Sequence, residues 1–453
     1  MKKIIVSVCC LALILAFSSE AWSATKKKRR GKRHHRAAVT RPAPVVAPTP
    51  EVAPAAPVKQ EGWWDKFETG YKKGLFFKSK DEKFSMKFRI RIQPRYTFQT
   101  NKTTGKNADN TFQIRRFKLS WEGNAFTKNL DYKVQINLAA LSPIQDMVEY
   151  VYVDYRFFDP LRVEFGQFKY PYNRQQITSS GRQEFVDRSL ASEEFRFASV
   201  DRTTTTTCTF PGGAAVSGSG LTCTGGATAT TTISDSQRRF QFDTGVMVHG
   251  DAFGKKLEYY GAITNGTGPT RLNLNKNFLY TGRLVYNPLG QYGYSESDVE
   301  GSEHPALTFG LSGGYNVQDV TSNKILQAGG EVGFKYRGFS LQGEYYYRHN
   351  DLKDVNGVAV STKNHDQGYY AQLGYFVIPH HFEIAARASQ VFLAGKNNDK
   401  SEFSGALNYY IFGHDLKLQA DYSLLRNEVD PTKFAGAQNK NDHRFRLQLQ
   451  AWF

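Results

Sequence analysis

His443-Arg444-Phe445-Arg446-Leu447-Gln448-Leu449-Gln450-Ala451-Trp452-Phe453 closes the chain. From Arg444 onward, polar and apolar residues alternate to a terminal phenylalanine. Successive side chains of a strand point to opposite faces. One face therefore carries Arg444, Arg446, Gln448 and Gln450, and the other Phe445, Leu447, Leu449, Ala451 and Phe453. A last amphipathic strand of this kind, in a secreted chain, predicts an all-β fold: an outer-membrane β-barrel. Phe453 is then the insertion signal read by the barrel-assembly machinery. The alternative is a half-buried edge strand of a soluble β-domain.

The start of the chain favours the barrel. Lys2 and Lys3 precede an apolar run from Ile4 to Phe17, and Ala21-Trp22-Ser23 supplies small residues for cleavage. Residues 1–23 read as a Sec signal peptide cut after Ser23. Cys9 and Cys10 lie inside the apolar run and are not lipid-attachment sites. No later segment approaches twenty apolar residues, which excludes a helical membrane protein. Mean hydropathy is low, −0.51, while aromatics reach 14%. A barrel with a wet lumen needs apolar side chains on one strand face and aromatics at two interfacial girdles.

The net charge is +17. Residues 1–23 contribute +1 and residues 24–60 contribute +9, which leaves +7 for residues 61–453. The 24–60 stretch is a basic cluster, Lys26 to Arg36, followed by a Pro/Ala/Val tract from Pro42 to Pro57 that reads as extended and disordered. Its place is the periplasm, where peptidoglycan or lipid phosphate is a suitable polyanion and nucleic acid is not. A solvated tail is the plain alternative. Residues 61–82 read as a lead-in.

Residues 83–453 repeat one theme, an alternating segment followed by a turn or loop. Sixteen segments are discernible: 83–98, 111–125, 129–140, 147–157, 160–168, 237–249, 256–264, 277–287, 304–316, 326–336, 338–349, 366–377, 380–391, 400–412, 415–426 and 443–453. Each suits an oblique crossing of a bilayer. Short links follow even-numbered segments and mostly longer ones follow odd-numbered segments, as periplasmic turns and outer loops do. Residues 288–303 break this rule, and the pattern supplies no reason for their length. The longest link, 169–236, is the third outer loop. In general porins that loop folds into the channel. Its first part is mixed-charge and aromatic. Its second, 203–236, reads as a surface excursion of Thr, Gly, Ser and Ala, in which Cys208 and Cys223 form a local disulfide.

In this order, several stretches resemble the phosphate-selective porin family named for porins O and P. They are Gly74-Leu75-Phe76-Phe77-Lys78-Ser79, Phe88-Arg89-Ile90-Arg91-Ile92-Gln93, Ile114-Arg115-Arg116-Phe117, Gly166-Gln167-Phe168-Lys169-Tyr170-Pro171-Tyr172 and His414-Asp415-Leu416-Lys417-Leu418-Gln419-Ala420-Asp421-Tyr422. The resemblance covers about Lys72 to Phe453. It implies a sixteen-stranded antiparallel transmembrane barrel, assembled as a homotrimer in a Gram-negative outer membrane among lipid and lipopolysaccharide.

A barrel alone names no solute. Alternation places Arg89, Arg91, Gln93 and Arg95 in the lumen from the first segment. From the second it places Arg116, Lys118, Ser120 and Glu122, with a bulge at Arg115-Arg116. The last strand must pair with the first, which adds Arg444 and Arg446. The expectation is a basic wall of Arg89, Arg91, Arg95, Arg116, Lys118, Arg444 and Arg446, offset by Glu122 alone. The remaining lumen reads as mixed: Lys133, Arg156, Arg162, Arg239, Arg283, Arg348, Arg387 and Lys417 against Asp131, Asp154, Glu164, Asp243, Glu344, Glu383 and Asp421. Arg174, Arg182, Arg188 and Arg196 are constriction candidates on the third loop, with Arg202 beyond them. Residues 170–236 contain no lysine, unlike the constriction the resemblance implies.

The expected function is passive diffusion of small solutes with anion preference, phosphate or polyphosphate being candidates. A non-selective porin and a barrel that anchors the cell wall through its basic arm are the alternatives. No enzyme is expected. His380 and His381 are adjacent, the ten histidines show no ligand spacing, and no phosphate cradle or nucleophile elbow occurs. No cofactor or metal is therefore assigned.

Overall fold

The computed structural model describes residues 62–453 except 102–105, 140–143, 274, 319–322, 352–364, 395–398 and 428–440. Residues 1–23, expected to be a signal peptide, and residues 24–60, expected to be a basic arm, lie outside the described residues. Among those described, the strands are β1 (Phe67–Tyr71), β2 (Leu75–Ser79), β3 (Ser85–Asn101), β4 (Lys106–Asn124), β5 (Leu130–Asn137), β6 (Val148–Phe158), β7 (Leu161–Lys169), β8 (Ala198–Thr209), β9 (Ala215–Gly218), β10 (Thr228–Arg239), β11 (Phe242–Ala252), β12 (Leu257–Thr264), β13 (Leu279–Tyr286), β14 (Ala306–Val317), β15 (Lys324–Tyr336), β16 (Phe339–Asp351), β17 (His365–Ile378), β18 (Phe382–Phe392), β19 (Lys400–Phe412), β20 (Leu416–Asn427) and β21 (Asn441–Trp452).

Sixteen of these, β3–β7 and β11–β21, form a closed antiparallel barrel in chain order, as the sixteen segments predict. The physical cause is the period of two. Along β17 every second residue is buried and the intervening ones are exposed. The buried set runs Asp366, Gly368, Tyr370, Gln372, Gly374 and Phe376. The exposed set includes Tyr369, Leu373 and Tyr375. The polarity is inverted relative to a soluble protein: Gln342, Gln372 and Asp421 are inside, whereas Phe309, Leu311 and Leu407 face outward.

The closing seam joins β21 to β3, with Arg446 opposite Thr97 and Gln448 opposite Arg95. It is completed by the terminal residue. Ile90 N donates to the Phe453 carbonyl (2.6 Å) and Phe453 N donates to the Ile90 carbonyl (2.9 Å). The Phe453 ring points outward. Beyond that seam, β2 takes over the same edge of β3, from Leu75 opposite Phe88 to Lys78 opposite Ser85. The lead-in segment is thus a β1–β2 hairpin that extends the wall. The expected bulge is present: Gln93 pairs with Arg116 and Pro94 with Ile114, which leaves Arg115 as the extra residue. Pro94 has no ladder donor, and a bulge tolerates that loss.

Short turns join β4–β5, β6–β7, β11–β12, β15–β16, β17–β18 and β19–β20 at one end of the barrel. Arg337 and Gly338 both have positive φ (47° and 82°), the geometry of a two-residue hairpin turn. The anomalous link 288–303 has a structural reason for its length. It folds back into the lumen from the short-turn end. Tyr292, Glu296, Ser297, Asp298 and Val299 are all buried. Asp298 accepts from Gly338 N (2.8 Å), and Lys335 Nζ donates to the Ser295 carbonyl (2.6 Å).

The third loop enters from the other end. Tyr170, Tyr172, Phe195 and Phe197 pack inside the barrel with Phe240, Leu279, Ile325, Tyr346, Tyr370 and Val391. Phe195 stacks on Tyr346, ring centroids 5.3 Å apart. The two intrusions meet where Glu296 N donates to the Arg182 carbonyl (3.0 Å) and Glu184 N to a Glu296 carboxylate oxygen (3.0 Å). The stretch beyond is no simple loop. β8, β9 and β10 form a separate three-stranded sheet, in which Cys208 and Cys223 are bonded across a separation of 15 residues.

A closed ladder with no free edge resists detergent, so the unboiled chain should migrate differently from the boiled one on a gel. Identical mobility would contradict the barrel. Replacing both Cys208 and Cys223 with Ser should leave the barrel's heat transition unchanged, because the β8–β10 sheet shares no ladder with the wall. Proteolysis within 204–232 should quicken.

Candidate functional site: a basic cavity between wall and loop

The inserted segments pack against inward residues of strands from β13 to β20. On the other side a cavity of about 830 Å³ remains. Twelve cationic and five anionic side chains line it. The cations are Arg89, Arg91, Arg115, Arg116, Lys118, Lys133, Lys169, Arg182, Arg188, Arg196, Arg444 and Arg446. The anions are Glu122, Glu149, Asp187, Glu193 and Glu402.

The register explains the concentration of charge. Arg91 lies opposite Lys118 and Gln93 opposite Arg116 across the β3–β4 ladder. β21 brings Arg444 and Arg446 to the other side of β3. The bulge turns the extra residue, Arg115, into the cavity with its side chain 45% exposed.

The loop touches this wall at two points. At the first, Arg91 donates to the Ser179 and Ser180 hydroxyls (2.9 and 3.0 Å). The adjacent Gly181 sits so close that a Cβ would lie 2.5 Å from Arg91 Nη1 and 3.0 Å from the Trp452 ring. That ring also carries the Arg89 guanidinium at 3.8 Å, a cation–π contact. At the second, Asp187 is enclosed by guanidiniums: Arg95 (2.7 Å), Arg446 (3.0 Å), Arg116 (3.1 Å) and Arg115 (3.8 Å).

The expectation that Glu122 alone offsets the wall is corrected. Glu122 pairs with Lys133 (3.0 Å). The wall is met instead by Asp187, Asp415 on Arg89, Asp421 on Arg446, Glu402 on Arg444 and Glu149 on Lys118. All five come from outside the first two segments and the last, so alternation within those segments could not reveal them. Asp187 comes from a loop, where alternation has no meaning.

The four loop arginines separate. Arg182 is exposed and lines the cavity. Arg196 also lines it and is held by Glu193 (2.8 Å). Arg188 reaches it while donating to the Gln175 and Thr178 carbonyls (2.8 and 3.1 Å). Arg174 is not at the cavity. It is buried against the far wall, donating to Glu331 (2.9 Å) and Thr308 (3.1 Å). The Arg202 side chain lies outside the described residues. Lys169, one residue before the lysine-free stretch, lines the cavity and caps the helical turn Arg174–Ile177 through the Gln176 carbonyl (2.6 Å). Its position at the end of a strand, just before the loop, was the signal available.

Two loop carboxyls respond in opposite ways. Burial alone would raise the Asp187 carboxyl, but Arg95, Arg115, Arg446 and Arg116 hold it well below the usual carboxylate range. Glu184 is pushed well above that range by burial and then by the carboxylates of Glu383 and Glu296. It lies in the packed half, bonded to Ser340 and to Gln372 (3.0 Å).

The arrangement is a charged passage. Comparison with known proteins agrees. The chain is 23% identical over 412 residues to an uncharacterized protein of Aquifex aeolicus (strain VF5), covering 80% of this chain and 87% of that one. It shares its fold with the outer membrane channel DcaP of Acinetobacter baumannii (TM-score 0.51, 11% identity, 83% of this chain and 99% of that one). An anion-selective porin from Comamonas acidovorans superposes with TM-score 0.50 at 8% identity, over 81% and 99% of the two chains. The protein is a channel of the bacterial outer membrane. A family model for phosphate-selective porin O and P matches residues 86–306 and 310–451, nearly the whole barrel, and the chain belongs to that family.

Proposed function

We propose that this porin passes small inorganic anions, with phosphate-type oxyanions favoured over chloride, and that it works as a homotrimer. The observation that carries the reading is the excess of cations, twelve against five, around the passage left beside the loop. Fixed positive charge lowers the cost of anion entry and raises local anion concentration. Arginine can offer two parallel donors to one oxyanion, and the serine hydroxyls beside Arg91 add neutral donors. The loop carboxylates keep the site from becoming a trap. Each guanidinium already paired with Asp187 binds a passing anion less tightly, and release stays fast.

Opposite substitutions test the sign. Asp187→Asn preserves shape and uncovers four guanidiniums, so the anion-to-cation permeability ratio should rise. Arg115→Gln combined with Lys133→Gln removes two cations and should lower the ratio severalfold, more at low salt where screening is weakest. Planar-bilayer reversal potentials in a salt gradient read both. If the two variants move the ratio in the same direction, the cavity is not the selectivity element. Phosphate added to a chloride current should block it in the wild type and block it less in the Arg115→Gln, Lys133→Gln variant. A chloride current indifferent to phosphate would leave a general anion channel.

The docked loop should also tolerate acid. A carboxylate whose folded pKa is depressed contributes fully above its unfolded value of about 3.9, and its contribution is lost only as pH falls through the folded one. The Asp187 clamp should therefore persist at pH 4.5, with the same single-channel level as at pH 7. Glu184 has the reverse sign. Its neutral form is favoured, so its contribution is lost as pH rises through a folded pKa well above the usual one. Channel noise from loop motion should appear on the alkaline side, and Glu184→Gln should suppress it.

A further inference from the structure

Away from the basic cavity, toward the short-turn end, the lumen holds a cluster of different chemistry. Asp154 on β6, Glu164 on β7 and His249 on β11 place one ligand atom each within 4.8 Å of one another. Asp154 and Glu164 are directly opposite across the β6–β7 ladder. Two carboxyl groups in that position destabilise a sheet unless a proton or a cation is shared between them. His249 pairs with Arg162 across the β7–β11 ladder, which sets its ring diagonally over Glu164.

What surrounds the three groups satisfies them only in part. Arg162 donates to Asp154 Oδ2 (2.9 Å) and to Asp131 (2.5 Å). Asp154 Oδ1 has no partner among the described residues, and the residue is only 4% exposed. His249 Nε2 is likewise buried without a hydrogen bond. It lies 3.4 Å from Asp154 Oδ2 and 4.0 Å from Glu164 Oε2. Glu164, 5% exposed, has that imidazole as its sole ion-pair partner among the described residues. His249 is held flat on Tyr260, with ring centroids 5.8 Å apart and planes 4° apart.

We infer that Asp154, Glu164 and His249 form a binding site for a first-row divalent cation, with zinc the best-suited ion. One imidazole and two carboxylates suit zinc, and three protein ligands leave a fourth position for water or a passing anion. Zinc bonds of about 2.0–2.2 Å hold ligand atoms roughly 3.5 Å apart, so small side-chain rotations close the set. The ion would relieve the facing carboxylates and satisfy both orphaned atoms at once. Arg162 and Asp131 orient Asp154 from behind, as outer partners of metal ligands do. Access exists: His249 borders a cavity of about 160 Å³ and Asp154 one of about 270 Å³.

The test is calorimetric titration of zinc into the full-length chain folded in detergent. The expected result is one saturable site per chain, weakened about tenfold or more by His249→Gln and by Glu164→Gln separately. Both variants should keep heat-modifiable mobility. Replacing His34 and His35 with Ala, in the N-terminal basic stretch, should leave this site unchanged. Absence of saturable binding overturns the inference, as does binding that survives both lumen substitutions. If either variant fails to fold, cobalt added to the wild type decides. Visible bands of a low-symmetry cobalt site, displaced by equimolar zinc, support it, and their absence refutes it.

Discussion

Everything in this protein depends on the pairing of backbone amides in a medium that supplies no hydrogen bonds. A strand in the hydrocarbon layer cannot leave an edge open, because each unpaired N–H or C=O there costs several kcal/mol. The chain answers with sixteen strands closed by β21 on β3. The last peptide groups of the seam belong to Phe453 itself, bonded in both directions to Ile90. Once the ladder is closed, the period of two does the rest. Every second side chain must face lipid, and the others are free to be charged.

That freedom creates a second problem, which the inserted segments resolve. A sixteen-stranded barrel encloses more space than its own inward side chains can fill. The third loop and the 288–303 link enter from opposite ends and meet at Glu296, converting half of the interior into packed protein. The aromatic cluster around Phe195 and Tyr346 is a core in the ordinary sense, although it sits where a wide pore would otherwise be. The passage is thereby left between the loop and a wall whose cations stand on β3, β4, β5, β7 and β21.

Charge in the passage is arranged rather than accumulated. Four guanidiniums around Asp187 would repel one another without it, and Asp187 would be costly to bury without them. Because Asp187 is carried by the loop and its partners by the wall, the same contacts dock the loop and moderate the field. Loop position and selectivity are therefore coupled by electrostatics at a single carboxylate.

The amino-acid sequence by itself determined the architecture. Alternation is local, and each strand reports its own faces. Hence the number of barrel strands, the bulge at Arg115 and the inward face expected for Arg89, Arg91, Arg95, Arg116, Lys118, Arg444 and Arg446 were legible. What lay beyond it required residues far apart in the chain to meet. Arg174, close in sequence to Arg182 and Arg188, turns to the opposite wall because Glu331 and Glu344 draw it there. The length of 288–303 has meaning only once its target, the inside of the barrel, exists. The grouping of Asp154, Glu164 and His249 has no sequence spacing to betray it, since His249 comes from β11, across the long third-loop excursion from its partner strand β7. Local periodicity fixes which way a side chain points. Only register and loop docking, set by long-range pairing, decide what it meets.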